Sequence, residues 1–262
     1  MNPTRSVGYV TEYCARHPQA LPSRAIPLRE AAACHAASTT EYHGIINFIP
    51  PGLVGIDAAA GMGIGTGLLA RISRRVIGLE MSPERLAEAG KINAGKTNII
   101  WFQRDLNAVG PDTPLFSQAV DYVVSLQTIE HLFNPRAFLT AIHSTLKNRG
   151  VLVLSAPTVQ TTDMNPYHLQ DFTPGALSEL VRSAGFEITG LVSTRSVHPL
   201  AWGNPLKKEG RIIPNIIPKS LLLKNMAEVY WRDPRKLLYR LASLAQDRGF
   251  PHESTRIVAE KI

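Results

Sequence analysis

The sequence predicts an α/β fold built on a mostly parallel sheet. Three observations predict it. Short apolar runs recur at the spacing of a strand–helix unit. The segments between them open with helix-capping residues. The runs themselves are near-continuous in Val, Ile and Leu, as strands covered on both faces must be.

The runs are residues 53–57, 75–80, 98–102, 120–127 and 151–156, with starts 22 to 31 residues apart. Ser82-Pro83, Asn134-Pro135 and Thr173-Pro174 each put a capping side chain just before a proline at the first helical position. The helix after Pro135 places Phe138, Leu139, Ile142 and Leu146 on one face and is expected to stop near Gly150. The helix after Pro174 carries Leu177, Leu180 and Val181 and is expected to stop at Gly185. Two further strands are expected at 186–194 and 255–262. Between them, residues 196–253 read as an insertion with helices at 221–230 and 234–245. Residues 1–40 read as an irregular extension with an Ala-rich helix at 28–37.

The composition bounds the class. The chain has 262 residues, 44% hydrophobic and 19% charged, which supports one large core and argues against wholesale disorder. No apolar run reaches the ~18 residues of a membrane helix. The N-terminal stretch has no apolar signal core. The two cysteines, Cys14 and Cys34, make neither a disulfide framework nor a metal spacing. These features together read as a cytoplasmic protein.

The net charge of +7 is unevenly placed. Residues 1–194 carry 15 Lys/Arg and 15 Asp/Glu, whereas residues 195–262 carry 13 and 6. A uniformly basic protein would point to nucleic acid. A neutral body with one basic segment points instead to a substrate-facing part that prefers something acidic, or to a solvated surface.

The strongest motif is Asp57-Ala58-Ala59-Ala60-Gly61-Met62-Gly63-Ile64-Gly65. A strand ends in an acid and a glycine-rich turn opens a helix. The turn lets backbone approach a ligand and offers free amide donors. A carboxylate beside those donors suits a zwitterion, such as the methionine end of S-adenosylmethionine. The dinucleotide fingerprint G-x-G-x-x-G/A competes. It fits only from Gly65, too far past the strand, and it sets Asp57 against a pyrophosphate of like charge.

Glu80, at the end of the second strand and followed by Met81, is placed to accept from ribose hydroxyls. Asp105, with Leu106 beside it, follows the third strand and can accept from an adenine amino group. After the fourth strand come Leu126, Gln127, Glu130 and His131, at the carboxyl edge where open α/β sheets bind ligands. His131 is a candidate general base, with Glu130 beside it. The loop after the fifth strand adds Asn165, Tyr167, His168 and Phe172 over the same edge. His168 is a second base candidate, and the two aromatic residues are candidate walls.

With these motifs in place, residues 41–194 resemble the class I S-adenosylmethionine-dependent methyltransferases. Asp57–Gly65 resembles their first motif and residues 151–157 their fifth strand. The run from Thr128 to Pro135 resembles a subgroup that includes ubiquinone-pathway and bacterial sugar O-methyltransferases. The resemblance implies a Rossmann-like seven-stranded sheet with its last strand antiparallel. The methyltransferase domain would then be 41–195 with 254–262, and the basic insertion 196–253 a lid or acceptor-binding segment. It implies that Asp57, Ala59, Gly61, Gly63 and Gly65 hold the methionine part of S-adenosyl-L-methionine. Glu80 and Met81 would hold the ribose, and Asp105 and Leu106 the adenine. Leu126 and Gln127 would lie under the sulfonium. Gln127 stands where metal-using members carry Glu, so no metal is expected. The expected acceptor is a small molecule or a sugar, possibly phosphate-bearing, and not nucleic acid, with membrane contact through 212–240 as a further option. An RNA or N-methyltransferase, or a non-catalytic partner-binding relative, are the alternatives.

Overall fold

The structure, a computed structural model, describes residues 41–109, 114–165, 167–199, 206–208, 211–213, 219–247 and 249–262. The Ala-rich segment expected at 28–37 lies outside them.

The sheet consists of β1 (Val54–Ala58), β2 (Arg75–Glu80), β3 (Ile99–Gln103), β4 (Val120–Leu126), β5 (Leu146–Pro157), β6 (Phe186–Pro199) and β9 (Gly249–Lys261). Their order is β3-β2-β1-β4-β5-β9-β6. The first five pair in parallel, and β9 runs antiparallel between β5 and β6. The order in which strands are added reverses between β1 and β4, so the carboxyl ends of these parallel strands open a crevice for a ligand.

Both faces of the sheet are covered, as the unbroken apolar runs demand. On one face Ile56, Ile77, Val123 and Leu154 pack under α3 (Pro135–Thr145) and α4 (Pro174–Ser183), through Phe138, Leu139, Ile142, Leu177 and Val181. On the other, Val76, Tyr122, Val124 and Val153 pack with Leu69 of α1 (Ile64–Leu69) and with Tyr42, Ile45 and Ile49. The segment before β1 therefore closes half of the core.

All three expected caps form. Ser82 opens α2 (Pro83–Ile92) by accepting from the Arg85 amide at 3.2 Å. Asn134 accepts from Ala137 at 3.0 Å and Thr173 from Ala176 at 3.1 Å. Helix α3 ends at Thr145, not near Gly150. Leu146 already pairs with Val120, and residues 147–150 bulge out of the ladder before Val151 pairs with Tyr122. Burying Leu146 in the sheet outweighs one more helical turn.

Strands β6 and β9 also run past their expected limits. Their pairing continues from Thr194–Ser254 out to Pro199–Gly249. Apolar patterning fades there, but two strands already in register gain backbone hydrogen bonds whatever their side chains. Pairing of β5 with β9 stops at Ser254, so Pro251, which lacks an amide donor, falls where β6 is the strand beside it.

Between β6 and β9 lie a short hairpin, β7 (Leu206–Lys208) with β8 (Arg211–Ile213), and two helices, α5 (Lys219–Arg232) and α6 (Pro234–Asp247). Helix α6 is inverted relative to a normal surface helix. Arg240 and Ser243 are buried, while Leu237, Leu238 and Leu241 face out. Among the described residues, no helix is long and apolar enough to cross a membrane.

Removing one cap tests the helix assignments. Thr173→Ala should cost about 1 kcal/mol, lowering Tm by about 2–4 °C for a chain of this size. Thermal unfolding followed by circular dichroism reads this directly.

Candidate active site

A cavity of about 270 Å³ opens at the carboxyl ends of β1 to β4. Its lining includes Ala59, Glu80, Met81, Asp105, Leu106, Leu126, Gln127 and His131, all expected from the sequence. Arg85, Arg104, Asn107, Thr128, Leu132, Asn165 and Tyr167 complete it.

Asp57 lies behind this cavity, not in its wall. It is fully buried, and its two oxygens accept from the Tyr42 hydroxyl and the Thr66 hydroxyl, each at 2.6 Å. Burial raises its pKa to about 6, against the lowering effect of the Thr66 and Tyr42 hydrogen bonds, and the charge of Glu80 adds to the rise. The carboxylate ties the end of β1 to the first turn of α1 and to the segment before the sheet. Nothing local in the sequence marks Tyr42 as its partner, which is 15 residues away.

The three glycines have different duties. A side chain on Gly61 would enter open space, so its bareness leaves room at the bend. A Cβ on Gly65 would lie 2.0 Å from the Tyr42 ring, and one on Gly63 would strike Trp101, Ala89 and Asn93. Gly63 and Gly65 are required by packing against the protein itself.

Two non-glycine residues sit in left-handed backbone at the cavity, Ala59 with φ 65° and Gln127 with φ 51°. Such conformations are costly for side-chain-bearing residues and concentrate at functional sites. The Gln127 side chain turns away from the cavity chemistry and donates to Ser254 at 2.9 Å, Ser155 at 3.2 Å and Glu41 at 3.3 Å.

Glu80 faces the cavity while its carboxylate accepts from the Gly61 amide and the Ser82 amide, each at 3.0 Å. It therefore clamps the glycine bend to the start of α2. Asp105 accepts from the Asn107 amide at 2.8 Å, which sets the turn carrying Leu106. Phe172, a candidate wall, belongs instead to the apolar core.

The histidine rings meet in a T shape, with centroids 4.8 Å apart and planes at 80°. His131 Nδ1 lies 2.8 Å from the Tyr167 carbonyl. A carbonyl only accepts, so Nδ1 carries the proton and Nε2 of the neutral ring has a free lone pair. Burial lowers the His131 pKa below 6.5, opposed by the Tyr167 hydrogen bond and aided by Arg85. Burial thus disfavours the charged ring, and Nε2 is the nitrogen left to take a proton. His168 Nδ1 lies 2.8 Å from the Thr161 hydroxyl.

Glu130 is buried, and burial pushes its pKa up to about 8. One oxygen is 3.9 Å from His131 Nε2, and the other has no hydrogen-bond partner. Glu130, His131 and His168 offer ligand atoms within 4.8 Å of one another, the one group among the described residues able to hold a metal ion. With one carboxylate and two imidazoles it suits a transition metal or zinc better than a hard oxygen-seeking cation.

Trp202, Arg232, Arg235 and Lys236 of the basic insertion are among the candidates to grip an acidic acceptor, and the three cations are engaged in ion pairs. Lys236 pairs with Asp171 at 2.6 Å, Arg235 with Asp233 at 2.9 Å and Arg232 with Glu228 at 3.2 Å. Trp202 lies outside the described residues. Arg85 and Arg104 supply the positive charge in the cavity wall instead. Arg104 adjoins Asp105, and Arg85 follows the Ser82 cap, so edge-of-sheet logic could have found both.

Comparison with known proteins agrees with this fold. Residues 56–154 match the family model of the methyltransferase domain. A Mycolicibacterium smegmatis protein named "Probable S-adenosylmethionine-dependent methyltransferase" is 32% identical over 139 residues, 51% of each chain. A ubiquinone biosynthesis O-methyltransferase of Cereibacter sphaeroides is 28% identical over 176 residues, 58% of this chain and 66% of that one. A crystal structure of a Bacillus halodurans protein superposes with a TM-score of 0.65 at 14% identity, over 85% of this chain and 99% of the other. The sequence match to a methyltransferase domain thus covers residues 56–154, and the fold is shared with the solved structure over 85% of the chain. The chain spans about half the length of the mycobacterial relatives it matches.

The buried Asp57 gives a pH test. Its folded pKa of about 6 exceeds the ordinary 3.8, so its protonated form favours folding. That contribution is complete below pH 3.8 and is lost as pH rises through about 6. Asp57→Asn should therefore gain on the wild type between pH 4 and pH 7.5, by up to about 3 kcal/mol. Urea unfolding of the ligand-free proteins at both pH values measures it, and an unchanged difference contradicts the assignment.

Proposed function

We propose that the chain is an S-adenosylmethionine-dependent methyltransferase that methylates a hydroxyl of a small-molecule acceptor. One observation carries the reading. A single cavity joins two acids suited to a nucleoside, Glu80 and Asp105, to a histidine whose Nε2 is free to take a proton. The relatives named for this donor support it, and the ubiquinone-pathway relative favours oxygen as the atom methylated.

In this reading Glu80 accepts from the ribose hydroxyls and Asp105 from the adenine amine, with Leu106 against the ring. Ala59, Gly61 and the strained backbone at Gln127 border the methionine part and its sulfonium. Gly63 and Gly65 act by shaping the bend, and Asp57 by anchoring it. The sulfonium is already activated, so the protein aligns the acceptor and removes one proton. The acceptor oxygen forms a bond to the methyl carbon as the carbon–sulfur bond breaks. The electron pair leaves on sulfur, and His131 Nε2 takes the hydroxyl proton. Alignment of this kind can contribute ~7–11 kcal/mol, and a positioned base ~100- to 10,000-fold. His168 and Glu130 support the His131 ring.

Arg85 and Arg104 favour an acceptor that bears an acidic group, such as a phosphate on a sugar. Arg104 Nε has no hydrogen-bond partner among the described residues. The ligand set at Glu130 supports a second reading, in which a divalent ion orients the acceptor oxygen.

Titration calorimetry with S-adenosylmethionine should show one site in the wild type. Glu80→Ala should weaken it by tenfold or more, the loss of charge-assisted hydrogen bonds of about 1.5–3 kcal/mol. Methyl transfer from labelled donor to sugar phosphates or quinol-type phenols, read by mass spectrometry, should fall at least ~100-fold in His131→Ala. Absence of donor binding by the wild type ends the proposal.

The outer face of α5 and α6 supports contact with an anionic membrane surface. Leu223, Leu237, Leu238 and Leu241 are exposed, and Trp231 is 89% exposed, with Lys224 among them. The protein should sediment with vesicles containing anionic lipid and less well after Trp231→Ala. No sedimentation with any vesicle removes the membrane contact from the reading.

A further inference from the structure

We infer that the α5–α6 hairpin is a brace that positions the histidine loop, with Lys236 and Arg240 as positioning residues. The inference rests on the reading of His131 as the base and adds the elements that hold it.

The loop after β5, residues 158–173, carries both Tyr167 and His168. It reaches His131 through the Tyr167 carbonyl at 2.8 Å. It reaches Glu130 through the amides of Leu169 and Gln170, which donate to the Glu130 carbonyl at 2.8 and 3.2 Å. His168 rests on Thr161. Every one of these contacts depends on where the loop lies.

The hairpin decides where it lies. Arg240 of α6 forks onto Asp163, with Nη2 to Oδ1 at 2.7 Å and Nε to Oδ2 at 2.9 Å, and also donates to the Gln160 carbonyl at 2.7 Å. Tyr230 of α5 donates to Asp163 at 2.7 Å. Asn225 donates to the carbonyls of Thr162 and Asp163, each at 2.9 Å. Lys236 donates to Asp171 at 2.6 Å and to Thr162 at 2.8 Å. Asp171 in turn accepts from the Thr161 amide at 2.7 Å, next to the hydroxyl on which His168 rests. Burial opposes the charge on Asp171, but Lys236 together with the Thr162 and Thr161 hydrogen bonds holds its pKa below the usual value.

The inverted character of α6 is the second line of argument. The helix turns Arg240 inward, 4% exposed, onto a fully buried Asp163, and leaves three leucines outside. A leucine-on-leucine contact would serve stability as well as a buried ion pair. What the ion pair adds is direction, because a bidentate fork fixes both the distance and the angle of its partner.

The test uses the full chain with Lys236→Met first, because Lys236 sits at the rim and Asp171, itself partly exposed, keeps its hydrogen bonds from Thr161 and Thr162. Arg240→Met is the second variant and Lys236→Arg the rescue. Amide exchange, imidazole ¹⁵N shifts at one fixed pH, and calorimetry with S-adenosylhomocysteine are measured on each. Lys236→Met should speed exchange at Leu169 and Gln170 by tenfold or more while β1 and β4 keep their protection. The Nδ1 signals of His131 and His168 should move and those of His143, on the far side of the sheet, should not. Lys236→Arg should restore both, and affinity for S-adenosylhomocysteine should change by less than about threefold. Unchanged loop exchange and histidine signals in a folded Lys236→Met protein overturn the brace, as does acceleration spread equally over the sheet. Failure of the wild type to bind S-adenosylhomocysteine defeats the methyl-donor reading, and the exchange data then still decide the brace.

Discussion

The bend between β1 and α1 is held by two carboxylates, and the cavity depends on it. Asp57 fixes the bend from beneath, through one hydroxyl from the segment before the sheet and one from α1. Glu80 fixes it from the side, by accepting the Gly61 amide. Without these anchors the backbone has no reason to keep Ala59 in a left-handed conformation. The strain at Ala59 is tolerable because the surrounding hydrogen bonds over-determine its position. The same principle operates across the cavity, where the Gln127 amide and side chain are both held by Ser155 on β5.

The chemistry of the site follows from burial rather than from any unusual residue. An exposed histidine would be partly protonated near neutrality. His131 is pushed toward its neutral form by desolvation and is oriented by a backbone carbonyl, so its lone pair points where a proton can be received. Glu130 is pushed the opposite way by the same desolvation and resists ionising. Two neighbouring groups are therefore set to different protonation states by one environment.

The α5–α6 hairpin uses its residues in reverse of the usual order. Arg240 and Lys236 are spent inward on Asp163 and Asp171, while Leu223, Leu237, Leu238 and Leu241 face out. Among the described cations of these two helices, Lys236 and Arg240 are internal ties and Arg232 and Arg235 are surface pairs. Among the described residues, Arg85 and Arg104, from the neutral body of the chain, bring positive charge to the cavity. Net charge located the unusual segment correctly but not the direction in which its side chains act.

The sequence by itself determined the succession of strands along the chain, the three capped helices and most of the cavity wall. These are local properties. Apolar runs, Ser82, Asn134 and Thr173 before prolines, and acids at strand ends carry their meaning within a few residues. The tertiary structure decided what depends on long-range approach. It put Asp57 behind the wall because Tyr42 folds back onto Gly65. It made Gly63 a packing glycine because Trp101 and Asn93 press on it. It extended β6 and β9 because paired backbones continue where apolar pattern stops. It bound Arg240 to Asp163, 77 residues apart. No spacing rule reaches across such distances, because which surfaces meet is settled only when the whole core closes.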